Sequence, residues 1–257
     1  MNTQYRVVVI GGGVVGASVL YHLAKLGWTD VALIERSVLT AGSSWHAAGG
    51  IHALNADPNM AALQAYTIDL LTEIEEESGQ NIGLHMTGGL TLAGTPERWE
   101  WLQSAYRVFQ SIGIEACELL TPQQAQERCP IMSTDGVLGA MWADREGYVD
   151  TTGTVHAYAT AAKKRGASVF EHTKVEALEQ VHDGWIVKTD KGDIRCEHVV
   201  NAAGLWAKQV GRMAGIELPV SPLKHHYLIT DQIPEVAAHD FEMPMPVDLE
   251  GYTYLRQ

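Results

Sequence analysis

The first 34 positions alternate between apolar runs and glycine in a way that predicts a strand, a helix and a second strand. Residues 7–10 are four consecutive β-branched residues followed by glycine, a pattern typical of a short buried strand. Apolar residues then recur at helical spacing over residues 17–24, and Gly27 is a suitable helix terminator. Residues 31–34 form the second apolar run. We therefore predict a β-α-β unit at the start of the sequence.

The same alternation of periods continues along the chain. Helical periodicity predicts helices over residues 57–77, 96–112 and 154–164, with a further helix start at residues 121–124. Apolar runs between polar turns predict strands at residues 136–143, 148–149, 168–170, 175–178, 185–189 and 194–196, and another from residue 198. A hairpin or bulged strand pair is predicted around Gly88 and Gly89, and alternating strands in residues 220–257. Because helical and strand periodicity both occur along the chain, we predict an α/β protein.

The turn after the first strand carries a G-x-G-x-x-G pattern at Gly11, Gly13 and Gly16. The first glycine permits the tight turn, the second lets a pyrophosphate approach the backbone, and the third lets helix and strand pack closely. The second strand ends on Glu35, 24 residues after Gly11, where a carboxylate accepts hydrogen bonds from ribose hydroxyls. The unit is thus predicted to bind a dinucleotide. Because Glu35 would repel a 2′-phosphate even with Arg36 beside it, NADP is disfavoured, and NAD and FAD remain.

Composition narrows the class of protein. The chain has 257 residues, of which 46% are hydrophobic, enough for one large or two modest domains. Acidic residues outnumber basic ones by 31 to 18, giving a net charge of −13, so nucleic acid and anionic membrane are poor partners. We also expect no membrane insertion, since the apolar run over residues 7–20 is short and interrupted by glycine.

The cysteines and histidines indicate neither a disulfide framework nor a metal site. Cys117, Cys129 and Cys196 are scattered and lack C-x-x-C spacing, which favours a reducing compartment. Adjacent His225 and His226 have no carboxylate or thiolate at ligand spacing. Since the first strand begins at residue 6 or 7, no room is expected for a signal or transit peptide, and we predict a cytoplasmic protein, or a mitochondrial matrix protein if it is processed.

Residues 39–50, LTAGSSWHAAGG, are small and polar apart from Trp45 and His46, so their backbone can pass close to a flat ligand. From its residue type alone, His46 could be an ordinary loop histidine. Together with the β-α-β unit, the segment resembles the dimethylglycine and sarcosine dehydrogenase family of flavoproteins, within the D-amino-acid-oxidase-like fold. In that family the histidine of the W-H-A-x-G run is the covalent attachment point of the flavin, which implies that FAD is joined to His46.

The resemblance extends to a second glycine crossing at residues 198–206, HVVNAAGLW, which in the family is another backbone approach to the dinucleotide. Taken alone, that run could be a plain parallel strand ending in a tight turn. Because NAD dehydrogenases do not usually return to the dinucleotide in this way, the crossing favours FAD over NAD. The positions predicted to bind the cofactor are Gly11, Gly13, Val14, Gly16, Glu35, Arg36, Ser43, Ser44, Trp45, His46, Val175, Ala203, Gly204 and Trp206.

The family also implies the arrangement of domains. We expect a Rossmann-like FAD-binding domain with a parallel central sheet, formed by residues 1–83 and 147–219. An interleaved substrate domain of antiparallel sheet would be formed by residues 84–146 and 220–257. Family members continue past the position of Gln257 with a further glycine-rich crossing and often a folate-binding domain. We therefore interpret the chain as an N-terminal part, and tetrahydrofolate as a ligand of a domain beyond it.

The implied reaction is FAD-dependent oxidative demethylation of an N-methylated glycine, either dimethylglycine or sarcosine. In the family, a histidine of the P-L-x-H-x-Y run and a tyrosine of the Y-x-R-[QE] run face the substrate, and they match His225 and Tyr254. Without the resemblance, His225 would be interpreted as a loop histidine and Tyr254 as a half-buried strand tyrosine. The electron acceptor is oxygen or an electron-transfer flavoprotein. Two alternatives stay open: an oxidase of another small amine such as glycine or proline, and a non-catalytic regulatory paralogue.

Overall fold

The structure is a computed structural model that describes residues 3–257. In chain order the elements are β1 (Gln4–Ile10), α1 (Val14–Lys25), β2 (Val31–Ile34), β3 (Gly50–Ile51), α2 (Pro58–Ser78), β4 (Gly89–Ala93), α3 (Pro96–Ser111), β5 (Cys117–Leu120), α4 (Pro122–Arg128), β6 (Gly139–Ala143), β7 (Gly147–Tyr148), α5 (Thr151–Lys164), β8 (Ser168–Phe170), β9 (Val175–Val181), β10 (Gly184–Thr189), β11 (Gly192–Asn201), α6 (Ala207–Met213), α7 (Pro234–Ala237), β12 (Met245–Asp248) and β13 (Thr253–Tyr254).

The chain divides into two compact units. Unit 1 comprises the chain up to Ala47, Glu73–Ile82 and Asp150–His225, and unit 2 comprises Ala48–Thr72, Gly83–Val149 and His226–Gln257. Residues 48–72 thus belong to unit 2, whereas the sequence analysis places them with the FAD-binding domain. The roles of the two units, cofactor binding for unit 1 and substrate binding for unit 2, stay predictions.

Unit 1 is built on a six-stranded sheet in the order β8-β2-β1-β11-β10-β9. The first four strands are parallel, and β10 and β9 continue the sheet in antiparallel pairing. Helices α1 and α5 pack against each other, and the core includes the fully buried side chains of Val8 and Ile194. Because Ile10 pairs with both Ile34 and Asn201, the carboxyl ends of β1, β2 and β11 lie side by side, where α/β sheets bind ligands.

Unit 2 holds a five-stranded sheet in the order β13-β12-β4-β6-β5, antiparallel except for the parallel pair β12 and β4. The short strands β3 and β7 form a separate antiparallel pair. Helix α3 buries Leu102, Ala105 and Phe109 in the core, with Trp99 and Tyr106 packed against it. The predicted α/β class, with a parallel sheet and an antiparallel sheet, is confirmed.

Local chemistry explains several helix ends. The predicted start of α4 is a complete capping box, since Thr121 Oγ1 accepts from Gln124 N at 3.3 Å and Gln124 Oε1 accepts from Thr121 N at 2.9 Å. Helix α5 begins three residues before its predicted start, because the Asp150 carboxylate accepts from the N–H groups of Thr152 and Gly153 at 3.0 Å.

Three of the strand predictions are wrong. No hairpin forms at Gly88 and Gly89, because β4 begins only at Gly89. Gly88 has a φ of +81°, and a Cβ there would lie 2.2 Å from the Trp142 ring. The two strands predicted at residues 194–196 and from 198 are the single strand β11. Residues 217–233 form no helix or strand, so His225 does not lie on a strand.

Candidate dinucleotide-binding site

A cavity of about 430 Å³ opens at the carboxyl ends of the parallel strands of unit 1. Eleven of the predicted cofactor-binding residues line it, namely Gly11, Gly13, Val14, Glu35, Arg36, Ser43, Ser44, Val175, Ala203, Gly204 and Trp206. The fold therefore gathers residues from five separate stretches of sequence around one space. Gly16, Trp45 and His46 are not among the lining residues.

The glycines of the first turn are required by close backbone approaches. Gly11 has a φ of +118°, and a Cβ on it would lie 2.3 Å from the carbonyl oxygen of Ala202, where the two glycine crossings meet. A Cβ on Gly16 would lie 1.9 Å from the carbonyl oxygen of Gly11, so only glycine lets α1 pack this closely against the turn. A Cβ on Gly13 would lie 3.0 Å from Ser44 Oγ. Side chains at these positions would therefore displace the turn or narrow the cavity.

The Glu35 carboxylate is fixed beneath the glycine turn. Its Oε2 accepts from Gly12 N, and its Oε1 accepts from Ser37 N, each at 2.8 Å. A carboxylate has about four acceptor sites, so these two bonds leave capacity for the hydroxyls of a ribose. Glu35 is thus oriented before a ligand arrives, and the carboxylate holds the turn and the end of β2 in register.

Arg36 and Trp206 form one wall of the cavity, although 170 positions separate them in the sequence. The guanidinium Cζ lies 3.8 Å from the centroid of the Trp206 ring, a cation–π contact. Trp206 ends a short 3₁₀ turn, Gly204–Trp206, directly after β11. Thr173, Gln209 and Met213 also line the cavity and were missed, because no local pattern marks them.

The amino terminus of α1 faces this cavity through Val14 and Val15. Gly13 is the capping residue and has no side chain to offer, and Ser44 Oγ instead accepts from Val14 N at 2.9 Å. The first turn of α1 holds no acidic residue that would neutralise the positive end of the helix dipole. The helix terminus suits an anionic pyrophosphate, and the oriented Glu35 carboxylate suits a ribose, so these residues fit a dinucleotide such as FAD.

His46 lies directly beyond the cavity-lining Ser44. Residues Ser44–His46 form a 3₁₀ turn, with the rings of Trp45 and His46 tilted by 33° and their centroids 3.6 Å apart. Both side chains are exposed. The histidine is therefore two positions from Ser44, which lines the cavity.

The two predicted catalytic residues fall in different units. His225 is the last residue of unit 1 and is exposed in the irregular segment 217–233. Tyr254 belongs to β13 of unit 2, where it pairs with Val247, and its side chain is 46% exposed. The exposure of both leaves their polar groups accessible to a small molecule.

Unit 2 also contains a buried acid that the sequence analysis missed. Glu146 is 5% exposed, and its Oε1 accepts from Ala53 N at 3.0 Å and from Leu54 N at 3.2 Å. Burial raises the pKa of the Glu146 carboxyl to about 7, because these two backbone donors offset only part of the desolvation. It lines a cavity of about 20 Å³ together with His52, whose pKa burial lowers. Burial therefore shifts both groups toward their neutral forms.

Two features are absent from residues 3–257. No group of three or more His, Cys, Asp or Glu side chains is arranged to hold a metal ion. None of the described helices has the length and apolar character needed to cross a membrane.

Comparisons with known proteins agree with this geometry. Human mitochondrial dimethylglycine dehydrogenase is 41% identical over the whole chain, which spans 30% of that protein's length. Human mitochondrial sarcosine dehydrogenase is 35% identical over 98% of the chain and 28% of that protein. The crystal structure of L-proline dehydrogenase from P. horikoshii superposes with a TM-score of 0.83 at 27% identity, covering all of this chain and 68% of that one.

A family model described as FAD dependent oxidoreductase matches residues 6–257. That match covers nearly the whole chain, including both glycine crossings and the Trp45–His46 loop. The predicted Rossmann-like FAD-binding fold and the predicted resemblance are confirmed. On these grounds the chain belongs to the FAD-dependent oxidoreductase family that includes the dimethylglycine and sarcosine dehydrogenases.

Proposed function

We propose that the protein oxidises an N-methylated amino acid, with dimethylglycine or sarcosine as the substrate, using FAD held by unit 1. The observation that supports this most is the cavity that joins the glycine turn, Glu35 and the second glycine crossing. The identity of 41% to a dimethylglycine dehydrogenase supports the N-methyl class over other amines. Because the chain spans about 30% of that relative, the activity is assigned to the full-length protein.

The residues of unit 1 bind and orient the cofactor in this proposal. The amino terminus of α1 binds the pyrophosphate, and Glu35 accepts hydrogen bonds from the ribose. Arg36 and Trp206 contact the nucleotide from one side of the cavity. The bound flavin supplies the redox chemistry by accepting a hydride from the N-methyl carbon. The imine left on the substrate then adds water and releases formaldehyde, or passes its carbon to folate.

His225 and Tyr254 are proposed to act on the substrate amine. Hydride leaves the methyl carbon only when the nitrogen lone pair is free, so the site must favour the neutral amine. An imidazole and a phenol can orient the amine nitrogen and accept a hydrogen bond from its protonated form, without adding a negative charge that would retain the ammonium form. The exposure of both side chains is compatible with this role.

His46 is proposed as the covalent attachment point of the flavin. Its loop begins with Ser43 and Ser44, which line the nucleotide cavity, and its ring is exposed on the 3₁₀ turn. Replacing a hydrogen on the 8α carbon by an imidazole withdraws electron density, so the tether would raise the reduction potential as well as retain the cofactor.

Three further assignments are proposals about the full-length protein. Electrons pass to oxygen or to an electron-transfer flavoprotein. Tetrahydrofolate would bind a domain beyond Gln257. The compartment is the cytoplasm or the mitochondrial matrix; the dimethylglycine dehydrogenase relatives from human and rat are named as mitochondrial.

The test is anaerobic reduction of the flavin in the purified full-length protein. Sarcosine, dimethylglycine, betaine, glycine and proline are mixed with the protein in turn, and bleaching of the flavin absorbance is followed with formaldehyde release. Fast bleaching by an N-methylglycine supports the proposal. Faster bleaching by glycine or proline would instead assign an oxidase of another amine, and an oxidised spectrum unchanged by every amine would assign a regulatory flavoprotein.

A further inference from the structure

The small cavity beside Glu146 lies entirely within unit 2 and has a volume of about 20 Å³. Residues of β3, β4, β7 and β12 line it, together with His52 and Glu146. A polar cavity of this size holds about one water molecule, and it is too small for an amino acid. Any ligand of this cavity is therefore about the size of water.

The Glu146 carboxyl has one oxygen that the protein satisfies and one that it does not. Oε1 accepts from the N–H groups of Ala53 and Leu54, whereas Oε2 has no hydrogen-bond partner in the described part of the chain. A Cβ on Gly89 would lie 1.9 Å from Oε2, so the carboxyl occupies the space that a side chain at position 89 would fill. Because a buried polar atom is costly unless it is hydrogen-bonded, Oε2 requires a partner from the cavity.

His52 supplies the complementary group on the same cavity. It has no hydrogen-bond partner among residues 3–257, and part of its surface is exposed to solvent. Burial lowers the pKa of the imidazole, which favours the neutral ring with one acceptor nitrogen. A protonated carboxyl can donate to a water, and the same water can donate to that nitrogen. The two side chains thus offer a bridging water the two partners that it needs.

No other charged group competes at this cavity in the described residues that line it. The strands β3, β4, β7 and β12 carry one charged residue, Asp248, and it alternates with the cavity-lining Val247, so it lies on the opposite face of β12. Cys117 on β5 is close enough to sense the charge of Glu146, but burial raises the pKa of its thiol and keeps it protonated. Proton exchange at the cavity is therefore confined to Glu146 and His52.

We propose that the cavity binds one ordered water that bridges the Glu146 carboxyl and the His52 imidazole, and that the three form a proton relay from the interior of unit 2 to solvent. The Glu146 O–H bond breaks and its proton passes to the water, while the water passes one of its own protons to the acceptor nitrogen of His52. A carboxylate and an imidazolium result, and the imidazolium releases a proton to solvent. No electrons move, and neither flavin nor substrate takes part, so the relay goes beyond the proposed function.

The first experiment is a high-resolution crystal structure of the full-length protein. We expect a water within hydrogen-bond distance of both Glu146 Oε2 and a ring nitrogen of His52. Glu146→Gln should keep this water, because an amide can still bind it, and Glu146→Met should lose it. A wild-type cavity without a water would overturn the proposal, and this observation requires no variant to fold.

The second experiment measures proton exchange at Glu146 by infrared spectroscopy of the resting full-length protein below pH 7. The carbonyl stretch of the protonated carboxyl is assigned by its loss in Glu146→Gln, and its shift after transfer to D₂O gives the exchange rate. His52→Phe should slow exchange about a hundredfold, the lower end of the range for proton transfer by a positioned side chain. His239→Phe is the matched control, since His239 belongs to the same unit, lies against Phe241 and does not line the cavity.

A third variant separates binding of the water from passage of the proton. The amide oxygen of His52→Gln can still accept from the water but takes up no proton, so the water should remain while exchange slows as in His52→Phe. Exchange at the wild-type rate in either His52 variant would overturn the relay. Both experiments use the resting protein without substrate, so their outcome is independent of whether the protein oxidises an N-methylated amino acid.

Discussion

Ser44 Oγ accepts a hydrogen bond from Val14 N at 2.9 Å, and so ties the loop that precedes His46 to the first turn of α1. The capping residue Gly13 provides no side-chain acceptor, so Ser44, 30 positions beyond Val14, supplies it. Gly13 can therefore stay without a side chain, as a close pyrophosphate requires, while one of the free N–H groups of the helix is still satisfied.

We expect Ser44→Ala to lower the free energy of unfolding by about 1 kcal/mol, the usual cost of a lost helix cap. Ser43→Ala is the control, because the neighbouring hydroxyl caps no helix. Urea denaturation of the protein prepared without flavin measures both variants, so that ligand binding does not add to the stability. Equal midpoints for the two variants would mean that the Ser44 hydroxyl is not needed as a cap.

The glycine turn and Glu35 could be predicted from the sequence because their geometry is local. Gly11, Gly13 and Gly16 lie in the turn after β1 and at the start of α1, and Glu35 follows the neighbouring strand β2. The spacing of these residues along the sequence is therefore enough to predict that they lie together. The partners Ser44 for Val14 and Trp206 for Arg36 come from tertiary packing, which leaves no periodic trace.

The failed hairpin has a physical reason of the same kind. A glycine pair between apolar residues suggests a two-residue turn, yet the N–H of Gly88 donates to the carbonyl of Glu146 at 2.9 Å, and β4 pairs with β6 and β12. Long-range strand pairing outweighed the local turn preference. Glu146 was missed because an isolated glutamate in a polar turn gives no sign of burial.

The second prediction concerns Glu35 and Gly13. Glu35→Gln puts an amide N–H₂ against either Gly12 N or Ser37 N, so one of two backbone bonds is lost. We expect a cost of about 1–3 kcal/mol in unfolding free energy and a reduced flavin content. Gly13→Val should abolish flavin loading, since its side chain fills the space beside Ser44.

Flavin absorbance per mole of protein measures occupancy in these variants. Glu197→Gln is the control for the carboxylate change, because Glu197 also loses its charge there but pairs with Arg6 on an exposed strand surface. Full occupancy in Gly13→Val would show that the dinucleotide lies elsewhere.

The third prediction is a pH dependence that originates at Glu146. Its pKa is about 7 in the folded protein and 4.5 as the ordinary value, so the folded state binds the proton more tightly. The stabilisation is fully present below pH 4.5 and is lost as the pH rises through 7. At 1.36 kcal/mol per unit of pKa, the loss is about 3 kcal/mol.

Glu146→Gln should remove this dependence, because an amide oxygen still accepts from Ala53 and Leu54 but carries no titratable proton. Urea midpoints at pH 5 and pH 8 should therefore differ less in the variant than in the wild type. Glu118→Gln, at an exposed pair with Arg128, should keep the wild-type difference. If the urea midpoint of the Glu146→Gln variant changed with pH as much as that of the wild type, other groups would be responsible for the pH dependence.

The fourth prediction is that His46→Ala releases the flavin from covalent attachment. The full-length wild-type protein should show a fluorescent flavin band after denaturing electrophoresis, and the variant should lose the band while still binding FAD through the cavity of unit 1. His182→Ala, an exposed histidine between β9 and β10, should keep it. Flavin that washes out of the wild-type protein in acid would refute the tether.

The last prediction concerns His225 and Tyr254, with the adjacent His226 and Tyr252 as matched controls. His225→Ala and Tyr254→Phe should each slow flavin reduction at saturating N-methylglycine by about tenfold or more, the usual contribution of a positioned acid–base group. The physical reason is that the neutral amine loses a partner that orients its lone pair, while the flavin stays bound by unit 1. His226→Ala and Tyr252→Phe remove the same chemical groups at exposed neighbouring positions and should leave the rate unchanged. Stopped-flow reduction across pH gives both the rate and the pKa that governs it. Wild-type rates and pH profiles in both primary variants would remove the two residues from the mechanism, and slow rates in the control variants instead would transfer the role to their neighbours.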